Sequence, residues 1–158
     1  MRLAWLALCL LLPMSALADT FSAPKGQSLL EIADADKVVV FDRQMLETLG
    51  MNVIETTTDW TEGMQRFSGP KLADVLAAAD VLGGELSAVA INDYTVAIPR
   101  DFAERHGAML ALSMNGKPMS VRDKGPIWLV FPRDDDQDLQ RTDVNAYWIW
   151  QLARIDVR

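Results

Sequence analysis

The chain has 158 residues, with 15 lysines and arginines against 22 acids and a formal charge of −7. That balance repels phosphate backbones and anionic lipid, and no basic stripe interrupts it, so nucleic acid is not the expected partner. A small or neutral ligand, or a protein partner, fits better, and the length predicts one domain.

The first eighteen residues read as an export signal. Arg2 is a short positive start, residues 3–12 are an apolar run, and Ala16-Leu17-Ala18 is a small-residue cleavage pattern. The run is too short to span a bilayer. The expectation is a soluble periplasmic protein, cleaved before Asp19, with residues 19–158 as a single domain and no direct membrane insertion. Cys9, the only cysteine, falls inside the apolar run and follows Leu8, where lipid attachment needs a small residue. The processed chain then has no thiol and must hold together by packing alone.

Residues 28–33 and 37–41 read as two strands joined by an acidic turn. Asp42 then caps a short helix that ends at Gly50. Residues 51–58 are rich in β-branched side chains and predict a strand. The stretch after it reads as a loop closed by Gly69-Pro70, with Pro70 in the first turn of a helix whose apolar face is Leu72, Val75, Leu76 and Ala79. Residues 87–91 and 94–98 predict strands flanking a tight Asn92-Asp93 reversal. Pro99 starts a short helix closed by Gly107, residues 109–114 predict a strand, and Asn115-Gly116 signals a hairpin. The apolar run 127–131, bounded by Pro126 and Pro132, reads as a buried strand. A polar loop, the aromatic segment 145–152 and a last strand, 153–157, complete the chain. Helices and strands mix without a strict βαβ rhythm, which predicts an α+β fold.

Most familiar chemistry is missing. A zinc or haem site needs clustered His and Cys, and outside the export segment the chain has one His and no Cys. His106, at a helix end, reads as a dipole cap. The run "DDDQD" (134–138) lacks the glycine and distal glutamate of a calcium loop and reads as a solvated hairpin. No nucleophile elbow, dinucleotide fingerprint or phosphate-binding loop is present. Two stretches stand out: "RDKG" (122–125), two cations on a glycine turn in an acidic chain, and "INDYT" (91–95), an acid beside an aromatic at a turn.

The succession "TTTDWTEGMQRFSGPKLADVL", "INDYTVAIP", "MNGKPMSVRDKGPIWLVFP" and "WIWQLARIDV" resembles the sulfite-oxidase-type molybdopterin-binding domain. The nearest likeness is to short exported bacterial versions that stand alone, and it covers roughly residues 50 to 157. It implies a sulfite-oxidase-like mixed-sheet domain with short helices. In catalytic members a cysteine ligates molybdenum about four residues before the tryptophan that corresponds to Trp60; here that position is Thr56. A thiolate is a soft anionic ligand, whereas a threonine hydroxyl is hard and neutral and cannot take over the bond. It still gives and accepts hydrogen bonds. The resemblance with this departure implies no metal ligand and no catalytic residue, but a pocket for a polar heterocycle: pterin as ligand, with molybdopterin as the alternative.

In such a pocket Trp60 or Tyr94 stacks on the ring, Asp93 accepts from its N–H edge, and Arg122 and Lys124 hold a carbonyl or a phosphate. Arg66 and Thr56 complete the rim. Trp128, Trp148 and Trp150 are expected in the core and at its edge. Small exported members resemble sensors that report pterin to a membrane-bound receptor, a cyclic-di-GMP enzyme or a kinase. The rival reading is a molybdopterin-dependent oxidoreductase whose metal is held only by the cofactor's own dithiolene.

Overall fold

In the computed structural model, residues 23–35 and 37–158 are described. The export segment, Cys9 included, lies outside the described residues.

β1 (Ser28–Asp34) and β2 (Lys37–Asp42) form an antiparallel pair, and Leu30 and Ile32 of β1 are buried on its inner face. The Asp42 carboxylate accepts the N–H of Met45 and starts α1 (Arg43–Thr48), as the sequence predicts. It also accepts the N–H groups of Lys25 and Gly26, which ties the segment before β1 to this corner. Gly50 follows with φ of 103°, the left-handed position that glycine takes without strain.

β3 (Asn52–Thr56) is shorter than expected, because it pairs with a strand that the sequence does not announce. That partner is β4 (Gln65–Gly69), in the stretch read as a loop; the register runs from Asn52 opposite Gly69 to Thr56 opposite Gln65. Only Phe67 and Gly69 of β4 are fully buried, so the strand carries almost no apolar signal. α2 (Leu72–Ala78) follows, with Leu72, Val75, Leu76 and Ala79 buried as the periodicity predicts. Pro70 lies before the N-cap residue Lys71, outside the first helical turn.

β5 (Leu86–Ala90) and β6 (Thr95–Ile98) make the hairpin around Asn92-Asp93, and Asp93 takes the left-handed conformation. α3 (Arg100–Arg105) comes next. The predicted strand 109–114 divides into β7 (Met109–Ala111) and β8 (Ser113–Met114), which belong to different sheets. The cause is a close crossing of chains: a Cβ on Gly69 would stand 1.9 Å from the Leu110 carbonyl oxygen. β4 therefore lies hard against β7 and then pairs with β8. β9 (Lys117–Pro118) returns from the Asn115-Gly116 turn, β10 (Trp128–Val130) pairs with β7, and β11 (Leu152–Val157) enters parallel to β1.

The result is a five-stranded sheet in the order β2-β1-β11-β5-β6, a four-stranded sheet β3-β4-β8-β9 and the pair β7-β10. One buried apolar cluster, from Leu30 to Val157, joins them. This is the expected α+β domain of mixed sheets and short helices.

The acidic run after Pro132 is not a hairpin. It forms 3-10 turns at Arg133–Asp135, Gln137–Gln140 and Thr142–Tyr147, pinned from outside. His106 does end α3, but its ring packs tilted against Phe102 and its Nδ1 lies 2.6 Å from Asp136 Oδ2, holding one of these turns against the helix. Among the described residues no helix is long and apolar enough to cross a membrane.

Candidate functional site: a tryptophan-lined cavity

Four tryptophans converge where the loop after β3 meets the segment before β11. The Trp60 ring centroid lies 5.6 Å from that of Trp150, 6.1 Å from Trp148 and 6.3 Å from Trp128, at steep interplanar angles. The contacts to Trp150 and Trp128 are edge-to-face, which the ring quadrupoles favour, and the contact to Trp148 is tilted at 45°. Trp128 is fully buried, and its Nε1–H donates to the Trp148 carbonyl oxygen at 3.2 Å. It forms the foundation. Trp60, Trp148 and Trp150 line a cavity of about 380 Å³, together with Tyr94, Asn92 and Asn145. That volume is within the roughly 300–1,000 Å³ usual for small-molecule clefts.

Local structure explains each wall. Trp60 is set by Thr58, whose hydroxyl accepts the Trp60 N–H at 3.1 Å and meets the Thr61 hydroxyl at 2.8 Å. Asp59 reaches across to the opposite wall: its Oδ2 accepts from Asn145 Nδ2 at 2.7 Å, and its Oδ1 pairs with Arg133 Nη2 at 2.9 Å. Trp150 is held by an antiparallel bridge to Trp128 and by the Lys124 ammonium, 5.7 Å from its ring centroid. Tyr94 and Asn92 come from the turn between β5 and β6, closed by the Ala90 N–H to the Tyr94 carbonyl. Trp148 lines the cavity, and its Nε1–H is buried without a protein acceptor.

The seven residues expected at a site are only partly brought together. Trp60 and Tyr94 line the cavity, and Lys124 stands behind its wall, over Trp128 and Trp150. Thr56, Arg66, Asp93 and Arg122 do not line it. Arg66 is on the face of the β3–β4 hairpin, paired with Glu55 at 3.5 Å. Asp93, turned by its positive φ, borders a separate surface cleft with Glu31 and Arg154. Arg122 is exposed in the 3-10 turn Val121–Asp123. Trp148, Trp150, Asn92 and Asn145 line the cavity where these residues do not. The aromatic run 145–152 carried the signal, but its residues read equally well as core.

Thr56 bears on the cofactor that the resemblance implies. Its side chain is 0% exposed, and its hydroxyl accepts from the Asp134 N–H and donates to the Thr57 carbonyl, both at 3.3 Å. The Asp134 carboxylate closes the same corner by accepting the Thr57 N–H and hydroxyl, each at 2.7 Å. These contacts, the hydroxyl of Thr57 first, hold the Asp134 carboxyl below the usual carboxylate range. A metal beside Thr56 would need a thiolate and an open approach, and the residues present offer a neutral hydroxyl under a clamp. They do not fit a molybdenum centre held through the chain. The cavity lined by Trp60, Trp148 and Trp150 has the volume and aromatic lining usual for a small flat heterocycle.

Residues 40–134 match the model of a family described as the oxidoreductase molybdopterin binding domain. The crystal structure of the sulfane dehydrogenase SoxCD from Paracoccus pantotrophus is similar in fold, with a TM-score of 0.61 at 19% identity. The likeness covers 81% of this chain and 37% of that one, so the chain spans little more than a third of its length. No curated protein matches the chain in sequence. Asn145, Trp148 and Trp150 lie beyond the span matched by the family model.

Proposed function

This chain belongs to the oxidoreductase molybdopterin binding domain family, and on that premise we propose that it is a periplasmic pterin-binding sensor without catalysis of its own, reporting its ligand to a membrane signalling protein. One observation carries the reading: the fold holds an aromatic cavity of heterocycle size, while the hydroxyl at position 56, outside that cavity, is buried and engaged. Stacking on the indoles supplies about 1–3 kcal/mol by analogy with base stacking. Trp150, which lines the cavity and is 37% exposed, is followed by Gln151, whose backbone and side chain link it to an exposed apolar rim of Ile91 and Val121, each at 51%. Such a rim suits a receptor that senses whether the cavity is filled, a cyclic-di-GMP enzyme or a kinase with an exported domain.

The test is titration of the purified chain with pterin, followed by calorimetry. Saturable one-to-one binding supports the reading, and absence of heat up to millimolar pterin refutes it. The receptor step is tested by co-purification of the chain with membranes in the presence and absence of pterin; equal recovery in both counts against a sensor. Cell fractionation that finds the chain in the cytoplasm would remove the periplasmic part.

The family description favours a second reading, a molybdopterin-dependent oxidoreductase. Stoichiometric molybdenum in freshly isolated protein would select it.

A further inference from the structure

Two amides, Asn92 and Asn145, line the cavity, and each has one end already committed. Asn145 stands 2.7 Å from Asp59 Oδ2. A carboxylate paired with an arginine only accepts, so the Asn145 atom facing it is the NH2 group, and Oδ1 is left over. Asn92 faces the Tyr94 backbone N–H at 3.2 Å. That group only donates, so Asn92 presents its oxygen there and keeps Nδ2 in hand. Neither leftover atom has a partner in the structure's hydrogen bonds among the described residues, and no Asp, Glu, Lys, Arg or His side chain lines the cavity.

We infer that the cavity selects its ligand by polarity as well as shape: Asn145 Oδ1 is a fixed acceptor and Asn92 Nδ2 a fixed donor, and together they choose an uncharged flat ring bearing a lactam edge. The inference rests on the pterin reading above and deepens it. A lactam offers an N–H to the acceptor and a carbonyl to the donor. The same ring with an amino group at that carbon offers the reverse, and a mismatched pair at this partly exposed site costs roughly threefold to tenfold in affinity. Asp59 touches no ligand in this scheme. It is a positioning residue, which sets the amide of Asn145 and, through Arg133, anchors the wall that carries it.

The test compares calorimetric Kd values for 2-amino-4-oxopteridine and 2,4-diaminopteridine. The parent should prefer the oxo compound by roughly threefold to tenfold. Asp59→Asn keeps its oxygen for Arg133 and turns an NH2 group toward Asn145, whose amide must then flip. Asn92→Asp still accepts from Tyr94 but offers an oxygen to the ligand. Each variant should shift the ratio of the two Kd values toward the diamino compound, again by roughly threefold to tenfold. A merely structural role weakens both ligands alike and leaves the ratio in place. An unchanged ratio in both variants, or a parent without preference, overturns the inference while leaving pterin binding intact. A parent that binds neither ring overturns it together with the reading beneath it.

Discussion

Replacing Trp60 by alanine separates a ligand platform from a packing residue. The ring is partly exposed and packs edge-on to two other indoles at 5.6 and 6.3 Å and tilted against a third at 6.1 Å. Each aromatic contact is worth about 0.5–1.5 kcal/mol beyond burial. A fully buried tryptophan costs about 3–5 kcal/mol on truncation, and partial exposure reduces this to about 2–3 kcal/mol here. For a domain of this size the unfolding midpoint should then fall by roughly 5–10 °C, leaving the protein folded at 25 °C. Binding should suffer separately. Loss of one stacking face removes about 1–3 kcal/mol, or 5- to 150-fold in Kd for pterin. Trp60→Phe should recover most of the midpoint and part of the affinity. The assays are thermal unfolding by circular dichroism and calorimetric titration of the folded variant. A folded Trp60→Ala protein that binds pterin within twofold of the parent would show that the ring is core packing alone and that the cavity is not the site.

Three further outcomes follow from the same geometry. Thr56→Cys exchanges two long hydrogen bonds for a buried thiol and should cost about 1 kcal/mol in urea unfolding; molybdenum content, measured by elemental analysis, should stay at background, because the Asp134 clamp still covers the position. Acid should loosen the fold. Asp134, held by Thr57, and Asp42, held first by the Met45 N–H, both have folded carboxyls below the ordinary range. Their stabilisation is therefore complete above the unfolded carboxylate range near 4 and is lost as pH falls through the lower folded values, so Asp134→Asn should flatten the stability profile below about pH 4. Gly69→Ala drives a Cβ to 1.9 Å from the Leu110 carbonyl oxygen, backbone against backbone. It should destabilise by about 3 kcal/mol or more, read from the denaturant midpoint.

Local signals carried most of the fold. The Asp42 cap, the apolar face of α2 and the Asn92-Asp93 and Asn115-Gly116 reversals each depend on neighbours within a few residues, and each stands where the sequence puts it. β4 was invisible because its strand character comes from two partners, β3 and β8, and not from its own side chains. The division of 109–114 follows from the approach of Gly69 to Leu110, a contact forty-one positions apart in the chain. The site behaved similarly. Trp60 and Tyr94 were legible because motifs flank them, whereas Asn145, Trp148 and Trp150 matter only once Asp59 and Trp60 come to face them. Arg66 and Arg122 looked functional as cations in an acidic chain, yet one is paired on a hairpin face and the other is exposed on a turn outside the cavity.

The central claim is that a metal-free chain holds a pterin ring among its tryptophans. A crystal structure of the complex with 2-amino-4-oxopteridine tests it most directly. The account predicts ring density against Trp60 and Trp150, with Thr56 still bonded to the Asp134 backbone. Ring density elsewhere on the surface, or a molybdenum atom next to Thr56, would contradict it.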